Sequence, residues 1–85
     1  METATAQFTL DTLVRKKIEK LRRKEKDARI YNRLSTLLWL NQGRSREDVA
    51  QLLGVSSRTV RNWVDLYQRH GLEALRRLDY QGDRG

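Results

Sequence analysis

The stretch Arg46–Asp65, REDVAQLLGVSSRTVRNWVD, decides the fold, because its apolar, small and glycine positions fall where two short helices crossing at a tight turn need them. Val49, Ala50 and Leu53 form an inward stripe at helical spacing, and Ala50 is small enough to let a second helix approach closely. Gly54 ends the first helix in a left-handed conformation that costs glycine little. Val55 plugs the turn, Ser56 caps the next helix, and Val60 and Trp63 point back at Val49 and Leu53. The pattern predicts a helix-turn-helix. Two amphipathic helices joined by glycine also occur in bundles that bind nothing, so the outward face of the second helix carries the functional reading.

Ser45 caps the first of these helices, with Asp48 three residues on in the manner of a capping box. Upstream, Ile30, Tyr31, Leu34, Leu37, Leu38 and Trp39 recur at three- and four-residue intervals and predict a core helix over 27–42, closed by Gly43. A basic helix over 11–25, capped by Thr9 or Asp11, carries a narrower stripe of Leu10, Val14, Ile18 and Leu21. That stripe is too thin for a core of its own; it packs on the second helix or pairs with another copy, leaving a homodimer open. No glycine or proline falls between Arg22 and Asp27, so two separate helices and one bent rod both fit. Downstream, the first helix-turn-helix element covers 46–53 and the recognition helix 57–69. Gly71 closes the latter, and Leu72, Leu75 and Leu78 predict a connector helix over 72–78. Residues 1–10 and 79–85 read as tails around a domain at 11–78. The fold class expected is all-α, a bundle of four to five helices around a homeodomain-like or winged-helix-like tri-helical core.

With 85 residues the chain makes one small domain, which buries only about 60 % of its unfolded surface and is marginal alone. The absence of cysteine excludes disulfides and thiolate metal sites, and the default reading is cytoplasmic and nucleoid-associated. The longest apolar run is Leu37–Leu40, too short to cross a bilayer, and the start METATA has neither the basic nor the apolar region of a signal peptide. A membrane partner is therefore not expected. The formal net charge of +7 favours polyanions. Nine basic residues between Arg15 and Arg29 face only Glu19, Glu25 and Asp27, so six of the seven net charges sit there. Between Ser45 and His70 four arginines face three acids. Recognition and raw electrostatic attraction therefore belong to different segments. The alternative for the basic run is a solvated helix face with internal ion pairs such as Glu19 with Arg23.

On the recognition helix, Val60, Trp63, Val64 and Tyr67 share the inward arc, and Arg58, Arg61, Asn62, Asp65 and Arg69 the opposite side. Arginine forks onto the O6 and N7 acceptors of guanine and asparagine pairs with N6 and N7 of adenine, which makes Arg58, Arg61 and Asn62 the base-reading candidates. Asp65 either orients Arg61 or Arg69 or accepts from a cytosine amino group. Ser56, Ser57 and Thr59 sit at the helix N-terminus, where unpaired N–H groups and the positive dipole end favour phosphate. Arg69 and, on the basic helix, Arg15, Lys16, Lys17 and Lys20 are the remaining phosphate candidates. His70 reads as a contact at the helix C-terminus. The acids are scattered singly, no glycine-rich phosphate loop is present and no serine or histidine has an activating partner, so neither catalysis nor a metal nor a cofactor is expected.

Residues 26–82, KDAR and then LLWLNQGRSREDVAQLLGVSSRTVRNWVDLYQRHGLEALRRLDYQG, resemble the N-terminal DNA-binding domain of mariner-superfamily insertion-sequence transposases, a paired-box-like half domain. The resemblance implies recognition of a transposon's terminal inverted repeats. It places Val55, Ser56, Arg58, Thr59, Val60 and Trp63 in the recognition helix and residues 71–75 in the connector. Two departures stand out. Where the family continues into a Gly-Arg-Pro element, this chain has Gly82-Asp83-Arg84-Gly85, and the family's three-acid catalytic domain is not in the sequence. The partners expected are double-stranded DNA, a second copy and a separate catalytic transposase subunit. A stand-alone transcriptional regulator and a helical assembly module are the alternatives. An assembly module calls for exposed aromatic or aliphatic anchors rather than arginine and asparagine.

Overall fold

The computed structural model describes residues 8–77, and all five of its regular elements are helices. They are α1 (Thr12–Lys24), α2 (Ala28–Asn41), α3 (Arg46–Leu53), α4 (Ser57–His70) and α5 (Leu72–Leu75). The protein is an all-α bundle.

α1 and α2 are separate helices. Glu25 takes an extended conformation (φ −75°, ψ 128°), and the Asp27 carboxylate caps α2 by accepting from the Arg29 N–H at 2.9 Å. The Glu25 side chain in turn accepts from the Asp27 N–H at 3.0 Å, so carboxylates satisfy the backbone where glycine or proline would otherwise mark the break.

α2 is the hub. One apolar cluster joins Leu34, Leu37 and Leu38 to Ile18 of α1, Trp63 and Leu66 of α4, and Leu75 of α5. A second joins Leu40 to Val49 and Ala50 of α3 and to Val60 and Val64 of α4. Trp63 therefore packs chiefly on α2 and α5, while Val60 and Val64 meet α3. Several expectations change here. Ile18 is fully buried, so the thin stripe of α1 is consumed inside the chain rather than left for a second copy. Tyr31 is 42 % exposed and lies on the flank of α2 beneath Arg22, whose guanidinium is 5.5 Å from its ring centroid. Residues 8–11, just before α1, are anchored on the core. The Leu10 N–H donates to Asn41 Oδ1 at 2.8 Å, and the Phe8 ring meets Tyr67 edge-on with centroids 6.2 Å apart.

The turn between α3 and α4 follows from Gly54, which takes the left-handed region (φ 73°, ψ 30°), and from the Val55 N–H, which donates to the Ala50 carbonyl at 3.0 Å. Ser45 caps α3 by accepting from the Asp48 N–H at 3.0 Å. The reciprocal half of the box is missing, because the Asp48 carboxylate pairs with Arg44 at 2.8 Å. The connector is shorter than 72–78. α5 ends at Leu75, Arg76 and Arg77 are non-helical, and Leu78 lies outside the described residues, as do residues 1–7 and the segment containing Arg84.

Candidate nucleic-acid interface

Ser56 fixes where α4 begins. Its Oγ accepts from the Thr59 N–H at 3.1 Å and lies 3.1 Å from Thr59 Oγ1. The Ser56 hydroxyl is thus used in capping and the Thr59 hydroxyl is bonded to it, so the exposed Ser57 with the remaining first-turn N–H groups is what the helix end presents to an anion.

The inward side of α4 is well defined: Val60, Trp63, Val64 and Leu66 are buried, with Val60 fully so. The opposite side is a continuous polar row in which Arg58, Arg61, Asn62, Asp65 and Arg69 are all exposed. At about 100° per residue these five side chains span an arc of roughly 100°, with Asp65 at its centre. Gln68 extends the same row and was not singled out by composition; its spacing of seven from Arg61 is the signal, and its amide suits adenine. Among the described residues none of the row's charged groups makes an ion pair. Asp65 is therefore not tied to Arg61 or Arg69 in the free protein, and the orienting pair expected at four-residue spacing is not formed.

The basic helix presents a different picture. Arg15 pairs with Glu19 at 2.7 Å, both on the half-buried flank of α1. Glu19 thus takes Arg15 rather than Arg23. Lys16, Lys17 and Lys20 are exposed, together with Arg23 and Lys24.

α1 lies beside α2, and its backbone comes close to no other helix, although Ile18 reaches the cluster that also holds Trp63 and Leu66. On α2, Tyr31 and Ser35 face α1: Arg22 stacks on the former and donates to the latter's Oγ at 3.2 Å. Arg33 lies between them in sequence, about 160° round the helix from each, and faces the other way, over Trp63 of α4 and onto the Leu75 carbonyl at 2.9 Å. The lysines of α1 and the polar row of α4 therefore lie across α2 from one another. They do not form one surface.

Arg33 is the buried residue that composition hides. It is 2 % exposed, and burial, reinforced by the nearby Arg29 charge, holds its pKa below the ordinary arginine value. Its place in sequence, three residues after Ile30 and four before Leu37, was the available sign that it points inward. An open hollow of about 640 Å³ at residues 42–51 is lined by polar side chains including Arg44, Glu47 and Asp48, and shares no residue with the α4 row. Among the described residues no group of three or more His, Cys, Asp or Glu side chains could hold a metal ion. No helix there is long and apolar enough to cross a membrane.

A family model described as a homeodomain-like domain matches residues 27–76, which takes in α2, α3, α4 and α5. No curated protein and no solved structure matches the chain. With a matched region covering more than half the sequence, a glycine-turned α3–α4 pair and a polar outer row on α4, the chain belongs to the homeodomain-like helix-turn-helix family.

Proposed function

We propose that this chain binds double-stranded DNA sequence-specifically by laying the outer row of α4 in the major groove. The observation that carries the reading is that row: Arg58, Arg61, Asn62 and Asp65 are exposed together on one face of a helix whose other face is locked into the core. Arg58 and Arg61 read guanine, Asn62 adenine, and Asp65 a base offering an amino group. Ser57, the first-turn N–H groups and Arg69 hold phosphates, while Ser56 and Thr59 fix the helix end that presents them.

The site proposed is a terminal inverted repeat, with this domain acting as the recognition domain of a mariner-type transposase. Binding, not catalysis, is the role assigned. Selection of sequences from random duplex, followed by a search for the selected site around the gene, tests this. A site recurring in inverted orientation at the ends of a mobile element supports it. A site found only upstream of transcription units would make the protein a regulator instead. Failure to select any sequence would remove the DNA-reading role and leave an assembly module.

A further inference from the structure

The cationic face of α1 and the reading face of α4 point away from one another, and this has a consequence for how many DNA segments one chain can hold. α1 is a short helix with an unbroken outer arc: Lys16, Lys20 and Lys24 repeat at four-residue spacing, flanked by Lys17 and Arg23, all exposed. Among the described residues none of these five is in an ion pair. The acid of α1, Glu19, is already held by Arg15 on the flank. The three lysines lie on a line about 12 Å long, at 1.5 Å of rise per residue. Such a row suits a phosphate backbone, and nothing apolar on it except Leu13 offers a partner protein an anchor.

The same side chains sit on a helix that takes the other side of α2 from the one that reads DNA. Tyr31 and Ser35 turn α2 towards α1, and Arg33 turns it towards Trp63 and Leu75, so α2 stands between the two surfaces. The outer arc of α1 faces further outward still, since Ile18 on its opposite side is fully buried against α2.

We infer that one chain bridges two DNA segments: α4 holds a specific site, and Lys16, Lys17, Lys20, Arg23 and Lys24 hold the backbone of a second duplex without regard to sequence. The inference rests on the DNA-reading role of α4. Charge complementarity and the uninterrupted cation row select a second duplex as the occupant.

The test is a capture assay with the full chain. A biotinylated duplex carrying the selected site is fixed on beads, and a labelled duplex of random sequence is offered in solution at moderate salt. The wild-type chain is expected to retain the labelled duplex. The triple variant Lys16→Gln, Lys20→Gln, Lys24→Gln should retain at least about tenfold less, with a shallower salt dependence of capture, while selecting the same site. Glutamine is a comparable helix former at exposed positions, so the helix itself is kept. Capture that persists in the triple variant would overturn the inference. So would a mass, by sedimentation, of two chains per complex together with capture lost in Arg58→Ala, Arg61→Ala; a dimer with two reading helices would then do the bridging. Displacement of the second duplex by single-stranded RNA at equal nucleotide concentration would overturn it in favour of RNA. A wild-type chain that selects no sequence fails at α4, and one that selects a sequence but captures no second duplex fails at α1. Either result overturns bridging, and the two are distinguishable.

Discussion

The Arg33 guanidinium lies over the indole of Trp63, 5.9 Å from the ring centroid, while its Nη1 donates to the Leu75 carbonyl at 2.9 Å. One side chain from the second turn of α2 thereby fixes that helix against α4 and supplies a donor to the end of α5, whose last carbonyls a four-residue helix cannot satisfy internally. A charge-assisted hydrogen bond and a desolvated cation–π contact together are worth about 2–4 kcal/mol. Arg33→Ala should lose about that much in denaturant unfolding. Arg33→Lys should recover little of it, because an ammonium cannot both stack on the ring and reach the carbonyl. A lysine variant as stable as the wild type would show that charge alone matters.

Trp63 is 7 % exposed, and its Nε1 is buried with no hydrogen-bond partner. Its contribution is therefore volume and ring face rather than a polar contact. Trp63→Ala should cost about 3–5 kcal/mol, enough to unfold a domain of this size. Trp63→Phe, which forfeits no hydrogen bond and keeps a ring under Arg33, should keep a cooperative thermal melt. If the alanine variant melted normally, the rotation of α4 would have to be reassigned.

The α3–α4 turn was legible because its determinants are local: Gly54, the Ser56 cap and the Val60 spacing act within a few residues of themselves. The all-α class followed from the same periodicities. What escaped depends on partners distant in sequence. Arg33 meets Leu75 across 42 residues, and a charged letter in an apolar register gives no hint of that carbonyl. Phe8 reads as part of a tail because Tyr67, its ring partner, belongs to another element; the Arg44–Asp48 pair is the exception, a local contact that competes with the capping box. The outer row of α4 could be read from helical spacing. Its separation from the α1 lysines could not, since that depends on which side of α2 each helix takes.

The break between α1 and α2 carries a pH signature. Asp27 accepts from the Arg29 side chain, Oδ2 to Nη2 at 3.2 Å and Oδ1 to Nε at 3.3 Å, and from the Arg29 N–H at 2.9 Å. These bonds hold its carboxyl below the ordinary aspartate value. A depressed folded pKa means the stabilisation is present above the unfolded pKa and is lost as pH falls through the folded one. Titration of the Asp27 carboxyl by NMR should show the depression, and Arg29→Ala should move it back towards the ordinary range. An unchanged titration in that variant would leave the backbone cap as the whole cause.

Gly71 joins α4 to α5 at φ 86° and ψ −179°, a conformation essentially reserved for glycine. A Cβ there would meet nothing within 4 Å, so the cost of substitution is conformational and not steric crowding by neighbours. Gly71→Ala should destabilise by about 1–3 kcal/mol. Because the joint also sets where the Leu75 carbonyl meets Arg33, the loss should shrink when measured in an Arg33→Ala background. A double-mutant cycle reads this directly, and strictly additive losses would separate the joint from the arginine.

Specificity is expected to divide along the α4 row. Replacing Arg58, Arg61 or Asn62 singly with alanine should cost about 1–3 kcal/mol on the selected site and much less on random duplex, because each removes a base contact. Asp65 should behave differently. It sits centrally among cations and is not paired with Arg61 or Arg69, so in a groove lined with phosphates its charge repels any sequence that offers no amino group to accept from. Asp65→Ala should raise affinity for random duplex and relax preference at one base pair. Competition binding of each variant on both duplexes measures the four effects together. Equal losses on both duplexes for the arginine and asparagine variants would make those side chains phosphate contacts. A uniform gain from Asp65→Ala with every base preference intact would leave its carboxylate an electrostatic brake and nothing more.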